Sequence, residues 1–116
     1  MTHIKKELSQ CADARRALIL FQGQVKCMEA DPNTPKDILR NARNRLTLAQ
    51  SQYQEAKKRT RELIRKVPQE LNMREILTRR YINLMSWNDV SESMYLDKRW
   101  IMRLHKRALE FLATHK

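Results

Sequence analysis

The sequence predicts an all-α protein, with an N-terminal antiparallel coiled-coil helical hairpin followed by a C-terminal unit of three short helices. Three observations carry this. One glycine and three prolines in 116 residues leave little for the turns of a sheet, while Leu, Ala, Arg, Lys, Gln and Glu, all good helix formers, recur throughout. Apolar residues return at spacings of three and four over most of the chain. Turn punctuation gathers at 31–35 and at 67–68, which divides the chain into an oligomerisation region, 1–67, and a second unit, 68–116.

The first helix is expected from about His3 to Glu29, with Leu8, Cys11, Leu18, Phe21, Val25 and Met28 on one stripe and Gly23 weakening it locally. Asp31-Pro32-Asn33-Thr34-Pro35 interrupts it. Thr34 is suited to an N-cap and Pro35 to the first helical position. The second helix, Lys36 to Lys66, would span about 46 Å at roughly 1.5 Å per residue. Along it Leu39, Ala42, Leu46, Ala49, Tyr53, Ala56, Thr60, Leu63 and Val67 follow three- and four-residue spacings unbroken, a heptad seam. A loop this short favours antiparallel pairing. Two helices with so many alanines bury little, so a second copy is expected against them, making a homodimer. The cluster Lys57, Lys58, Arg59, Arg61, Arg65 and Lys66 reads either as a solvated flank or as a phosphate-contacting edge. Val67-Pro68 then interrupts the helix.

Beyond the joint, a helix from about Glu70 to Asn83 carries Leu77, Tyr81 and Leu84 as an apolar ladder. Ser86 is a plausible N-cap for the next helix, which turns Trp87, Val90 and Met94 inward. The chain must then turn quickly, because Asp97 is a good N-cap for a helix opening at Lys98. Lys98, Arg99, Arg103, Lys106 and Arg107 lie on that helix with no acid between them. At about 100° per residue, Arg99, Arg103 and Lys106 cluster opposite Ile101, Leu104, Ala108 and Leu112. Such a helix packs through one side and offers cations to a DNA groove through the other, arginine being suited to bidentate contact with guanine. A basic face taken alone is most often merely solvated. Here it closes a set of three short helices, the arrangement of a helix-turn-helix domain.

The motifs Arg80-Tyr81-Ile82, Ser86-Trp87, Val90 and Arg103-Leu104-His105, followed by Arg107-Ala108-Leu109, resemble region four of the bacterial housekeeping sigma factors. They resemble still more closely the small phage and prophage transcriptional regulators of the ArpU and RinA type, which carry a sigma-region-four-like tail. The resemblance covers about the last forty residues. It implies groove-reading positions at Lys98, Arg99, Met102 and Arg103, a phage or prophage origin, and RNA polymerase as a possible partner. Three positions depart from the pattern: Leu84 and Tyr95 stand where the family commonly has glycine, and Met102 where a polar or aromatic reader is usual. A residue other than glycine at a left-handed turn costs on the order of 1 kcal/mol, so an altered turn shape is expected.

A formal charge of +11 favours a polyanionic partner. With no long apolar run, signal peptide or lipidation motif in sight, that partner is expected to be double-stranded DNA in the cytoplasm of a bacterial host cell rather than a membrane. RNA ranks lower, because Tyr81, Trp87 and Trp100 fall on or beside apolar stripes instead of forming platforms. Cys11 and Cys27 are too far apart on one helix to pair and are expected to be buried or half-buried. His3, His105 and His115 show no metal spacing. His105 is expected to flank the core, with a phosphate contact as the alternative. No catalytic motif and no cofactor site is legible.

The expected function is therefore sequence-specific recognition of double-stranded DNA in transcription regulation. Lys98, Arg99, Met102, Arg103, Lys106, Arg107 and Ser86 are the candidate contacts. Two alternatives share the pattern: a DNA-packaging subunit resembling a small terminase, and a coiled-coil adaptor that grips RNA polymerase.

Overall fold

The computed structural model describes residues 2–114; His115 lies outside them. Among the described residues the chain is all-helical, without a strand: α1 (Thr2–Leu8), α2 (Gln10–Ala30), α3 (Lys36–Arg65), α4 (Met73–Leu77), α5 (Trp87–Met94) and α6 (Lys98–Thr114).

The expected first helix is in two pieces. Between α1 and α2 the Ser9 amide still donates to the Lys5 carbonyl at 2.9 Å, and the Ser9 hydroxyl donates to the same oxygen at 2.8 Å. A serine bonding back onto the preceding turn bends a helix without ending it.

The 31–35 interruption is a tight turn built on Asp31. Its carboxylate accepts the Asn33 amide at 2.9 Å, and its carbonyl accepts the Thr34 amide at 3.2 Å. Thr34 is not the N-cap of α3. With its backbone tied into this turn, Thr34 makes no cap bond, and Pro35 (φ −58°, ψ 143°) is itself the N-cap. The Pro35 carbonyl accepts the Leu39 amide at 3.1 Å, a role that needs no N–H from the proline.

α2 and α3 lie along one another. Cys11 Sγ meets Thr60 Oγ1 at 3.5 Å near one end and Arg43 meets Glu29 at 3.8 Å near the other, so the two run in opposite directions. On α3, Ala42, Ala49, Ala56, Thr60 and Leu63 are buried, with Leu39, Leu46 and Tyr53 half-buried between them. On the facing side, Leu8, Cys11 and Val25 are buried, and Leu18, Phe21 and Met28 half-buried. The buried Thr60 hydroxyl donates to the Ala56 carbonyl at 2.8 Å, which removes the cost of an unpaired polar group in the seam. Cys27, expected inside, is exposed. Two residues after Val25 it is turned about 200° away from the seam.

The core continues without a gap across Val67-Pro68. Ile4, Leu8 and Cys11 join Leu63, Ile64 and Val67, and these join Ile76, Leu77, Val90, Ile101, Leu104, Leu109 and Leu112 in one cluster. Arg74 fastens the joint by donating to the carbonyls of Val67 and, at 2.8 Å, Arg65, two acceptors that the end of α3 leaves unpaired.

The single helix expected over 70–83 is not formed. Glu70–Asn72 is a 3₁₀ turn, with Leu71 and Asn72 left-handed at φ 58° and 62°, so α4 begins only at Met73. Thr78–Ile82 then widens into a π-helical turn, closed by the Asn83 amide on the Thr78 carbonyl at 3.0 Å. The wider turn brings Leu77 and Ile82 into the core together. An α-helix would set them about 140° apart.

Leu84 and Tyr95 both take the left-handed backbone, at φ 58° and 56°. Leu84 is half-buried and packs against the core, an offset for the steric cost of about 1 kcal/mol.

Candidate nucleic-acid interface

α6 starts where expected. The Asp97 carboxylate accepts the Arg99 amide at 2.8 Å, and its carbonyl accepts the Ile101 amide at 3.0 Å, satisfying first-turn donors that would otherwise be unpaired. Ile101, Leu104, Ala108, Leu109 and Leu112 are buried. Lys98, Arg99, Met102, Arg103, Lys106 and Arg107 are all exposed on the remaining arc. Asp97, Lys98, Arg99, Met102 and Arg103 line one shallow hollow.

The ion pairs among the described residues are His3–Glu7, Arg16–Asp13, Arg43–Glu29, Arg59–Glu55 and Arg79–Glu75. No cation of α6 takes part in them. The one acid on α6 is Glu110, and Asp97 is engaged in the cap. Among the described residues the five positive charges of α6 are thus uncompensated by ion pairs, which favours holding a polyanion.

Ser86 is exposed and caps α5, its Oγ accepting the Asp89 amide at 3.1 Å. The cap uses an oxygen lone pair and leaves the hydroxyl proton to donate outward. Between α5 and α6 the turn is closed by the Leu96 amide on the Ser91 carbonyl at 3.2 Å and by the Ser91 hydroxyl donating to the Leu96 carbonyl.

His105 anchors the inner side of α6. It is 5% exposed, so it lies in the core rather than at its flank and is not placed for a phosphate contact. Its Nε2 is 2.7 Å from the Tyr81 hydroxyl, and the Trp87 ring meets it edge-on, with centroids 4.6 Å apart. Burial, reinforced by the charges of Lys5 and then Arg80, pushes the imidazole down to about 4. Burial pushes the Tyr81 phenol up, against the smaller opposing effect of Arg80. Arg80 lies 4.8 Å over the Trp87 ring and donates to the Met85 carbonyl at 2.9 Å. These contacts join α6 to α5 and to the π-helical turn, and no periodicity announces them.

Trp100, expected beside an apolar stripe, is 39% exposed, because it precedes Ile101 by one position and so sits at the margin of the buried arc. In the 57–66 cluster, Lys57 lies 4.8 Å over the Tyr53 ring and Arg59 pairs with Glu55 at 3.6 Å. Lys58, Arg61, Arg65 and Lys66 are exposed. Among the described residues no group of His, Cys, Asp or Glu is placed to share a metal ion, and no helix is long and apolar enough to cross a membrane. No protein-family model, curated protein or solved structure matches the chain.

Proposed function

We propose that the protein is a sequence-specific double-stranded DNA-binding regulator of transcription. In this reading residues 68–116 act as a sigma-region-four-like helix-turn-helix and α6 lies in the major groove. The observation that carries it is the division of α6: a buried apolar side, and an exposed arc with Lys98, Arg99, Arg103, Lys106 and Arg107 outside every ion pair among the described residues. Arg99 and Arg103 are assigned to base edges. Lys98, Lys106, Arg107 and the Ser86 hydroxyl are assigned to phosphates, and Met102 to apolar contact such as a thymine methyl. The phage or prophage origin rests on the resemblance described above.

The hairpin of α2 and α3 is assigned to self-association. Ile19, Leu20 and Leu48 are 54%, 58% and 58% exposed, apolar surface that a second copy would cover. A two-fold pair would then address half-sites about one helical turn apart, roughly 34 Å.

Selection of bound fragments from a random duplex pool, followed by titration at two salt concentrations, tests the reading. Arg99→Ala and Arg103→Ala are expected to cost about 1–3 kcal/mol on the selected site and to relax base preference. Lys58→Ala and Lys66→Ala should at most reduce the salt dependence. Failure to enrich any sequence, or equal sequence-blind losses from all four changes, would refute it.

A further inference from the structure

Among the described residues, four other than glycine hold a left-handed backbone: Leu71, Asn72, Leu84 and Tyr95. Asparagine tolerates this region, and Leu84 is packed against the core. Tyr95 is different, being 93% exposed against 46% for Leu71, the highest value for a large hydrophobic residue among the described residues. The turn itself requires the left-handed backbone, since the Tyr95 amide closes α5 on the Glu92 carbonyl at 3.3 Å. It does not require a tyrosine. Glycine would take the same backbone without steric cost, and the ring gains almost no burial in exchange. A strained backbone position carrying a large, solvated side chain points to a role outside the fold.

We propose that the Tyr95 hydroxyl contacts a backbone phosphate of the DNA held by α6, an assignment that rests on the DNA-binding reading above. Tyr95 is three residues before Lys98, so their Cα atoms are at most about 11 Å apart. Its exposed side chain is thus attached close to the residues, Lys98 and Arg99, that open the candidate interface. It precedes α6 instead of lying on the exposed arc assigned above to base edges, so the contact is assigned to the DNA backbone. A tyrosine hydroxyl is a standard donor to phosphate oxygens. Such a contact positions the duplex without reading sequence.

The test uses Tyr95→Phe and Tyr95→Gly in the full chain, with the selected duplex and a scrambled one. Each change should weaken binding about 5–10-fold, the worth of one hydrogen bond, and by the same factor on both duplexes. Tyr95→Gly should unfold no earlier than the wild type, and Tyr95→Phe should unfold with it. If both variants bind like the wild type while Arg99→Ala still weakens binding, the Tyr95 contact is refuted and the DNA-binding reading stands. A loss confined to the selected duplex would refute a phosphate contact in favour of a base contact. A loss with Tyr95→Gly but not with Tyr95→Phe would refute the role of the hydroxyl. If the wild type binds neither duplex at low salt, the underlying reading fails and this assignment with it.

Discussion

Acid should loosen this protein at one identifiable place, the seat of α6. His105 is 5% exposed and its imidazole is held down at about 4, against an ordinary value of 6.5, by burial and then by Lys5 and Arg80. Between those values the unfolded chain binds a proton that the folded chain refuses. Stability is therefore complete above about pH 7, declines as pH falls through 6.5, and stops declining from this cause near pH 4. The full span corresponds to roughly 3 kcal/mol, of which about 2 kcal/mol is lost between pH 7 and pH 5.

Urea unfolding followed by far-UV circular dichroism at pH 7 and pH 5 measures the loss. Because carboxylates also begin to titrate, the informative quantity is the difference from His105→Gln, which has no proton to gain. That variant loses the tight packing with Tyr81 and Trp87 and starts less stable, but its stability should fall less between the two pH values, by about 2 kcal/mol. Identical declines in the two proteins would refute the account of His105 as a buried neutral group. A rise in wild-type stability on acidification would contradict its sign.

Ser86→Ala removes the acceptor for the Asp89 amide and should cost about 1 kcal/mol in thermal or urea unfolding; no change would mean the cap is replaced by water at no cost. On the proposed self-association, Leu20→Asp together with Leu48→Asp, both at 58%-exposed positions, should leave the circular dichroism spectrum intact and shift light-scattering mass to the monomer; an unchanged mass would remove these residues from the proposed surface. Leu8→Ala empties a position that is 0% exposed within the shared core and should destabilise by about 2–5 kcal/mol, whereas Leu20→Ala should lower the stability of the monomer by far less. Equal effects of these two leucine changes would show that the N-terminal helices pack otherwise.

The all-helical character was legible because it rests on composition and on periodicity repeated many times. The seam of α3 from Leu39 to Leu63 is a run of small and apolar residues at three- and four-residue spacings, and every one of them is buried or half-buried. Where a single residue type decides the geometry, prediction held only when the chemistry was local. Asp97 and Ser86 bond amides two and three residues away, and a cap of that kind can be read from spacing. Thr34 failed as a cap because its backbone is tied into the turn set by Asp31, a competition that spacing does not reveal. The break at Leu71 and Asn72 and the π-helical turn at 78–82 were illegible for a related reason. The apolar ladder Leu77, Tyr81 and Leu84 looks helical, but packing of Leu77 together with Ile82 in the core overrides local preference.

At the candidate interface the exposed half was legible and the buried half was not. That α6 would present Arg99, Arg103 and Lys106 to solvent follows from the wheel; Lys98 and Met102 are implied by the resemblance, and they and Arg107 are exposed as well. What holds α6 in place does not follow from either. His105 occupies the margin of the apolar arc, so its burial depends on Tyr81 and Trp87 arriving from two other elements. Ile4 and Leu8, from the opposite end of the chain, belong to the same core cluster as Leu104 and Leu109, and α1 packs directly on α6. The orientation of the six exposed side chains is therefore fixed partly by residues more than eighty positions away in sequence. A change in α1 that leaves every cation in place should still weaken any duplex contact made by α6, through the packing that aims it.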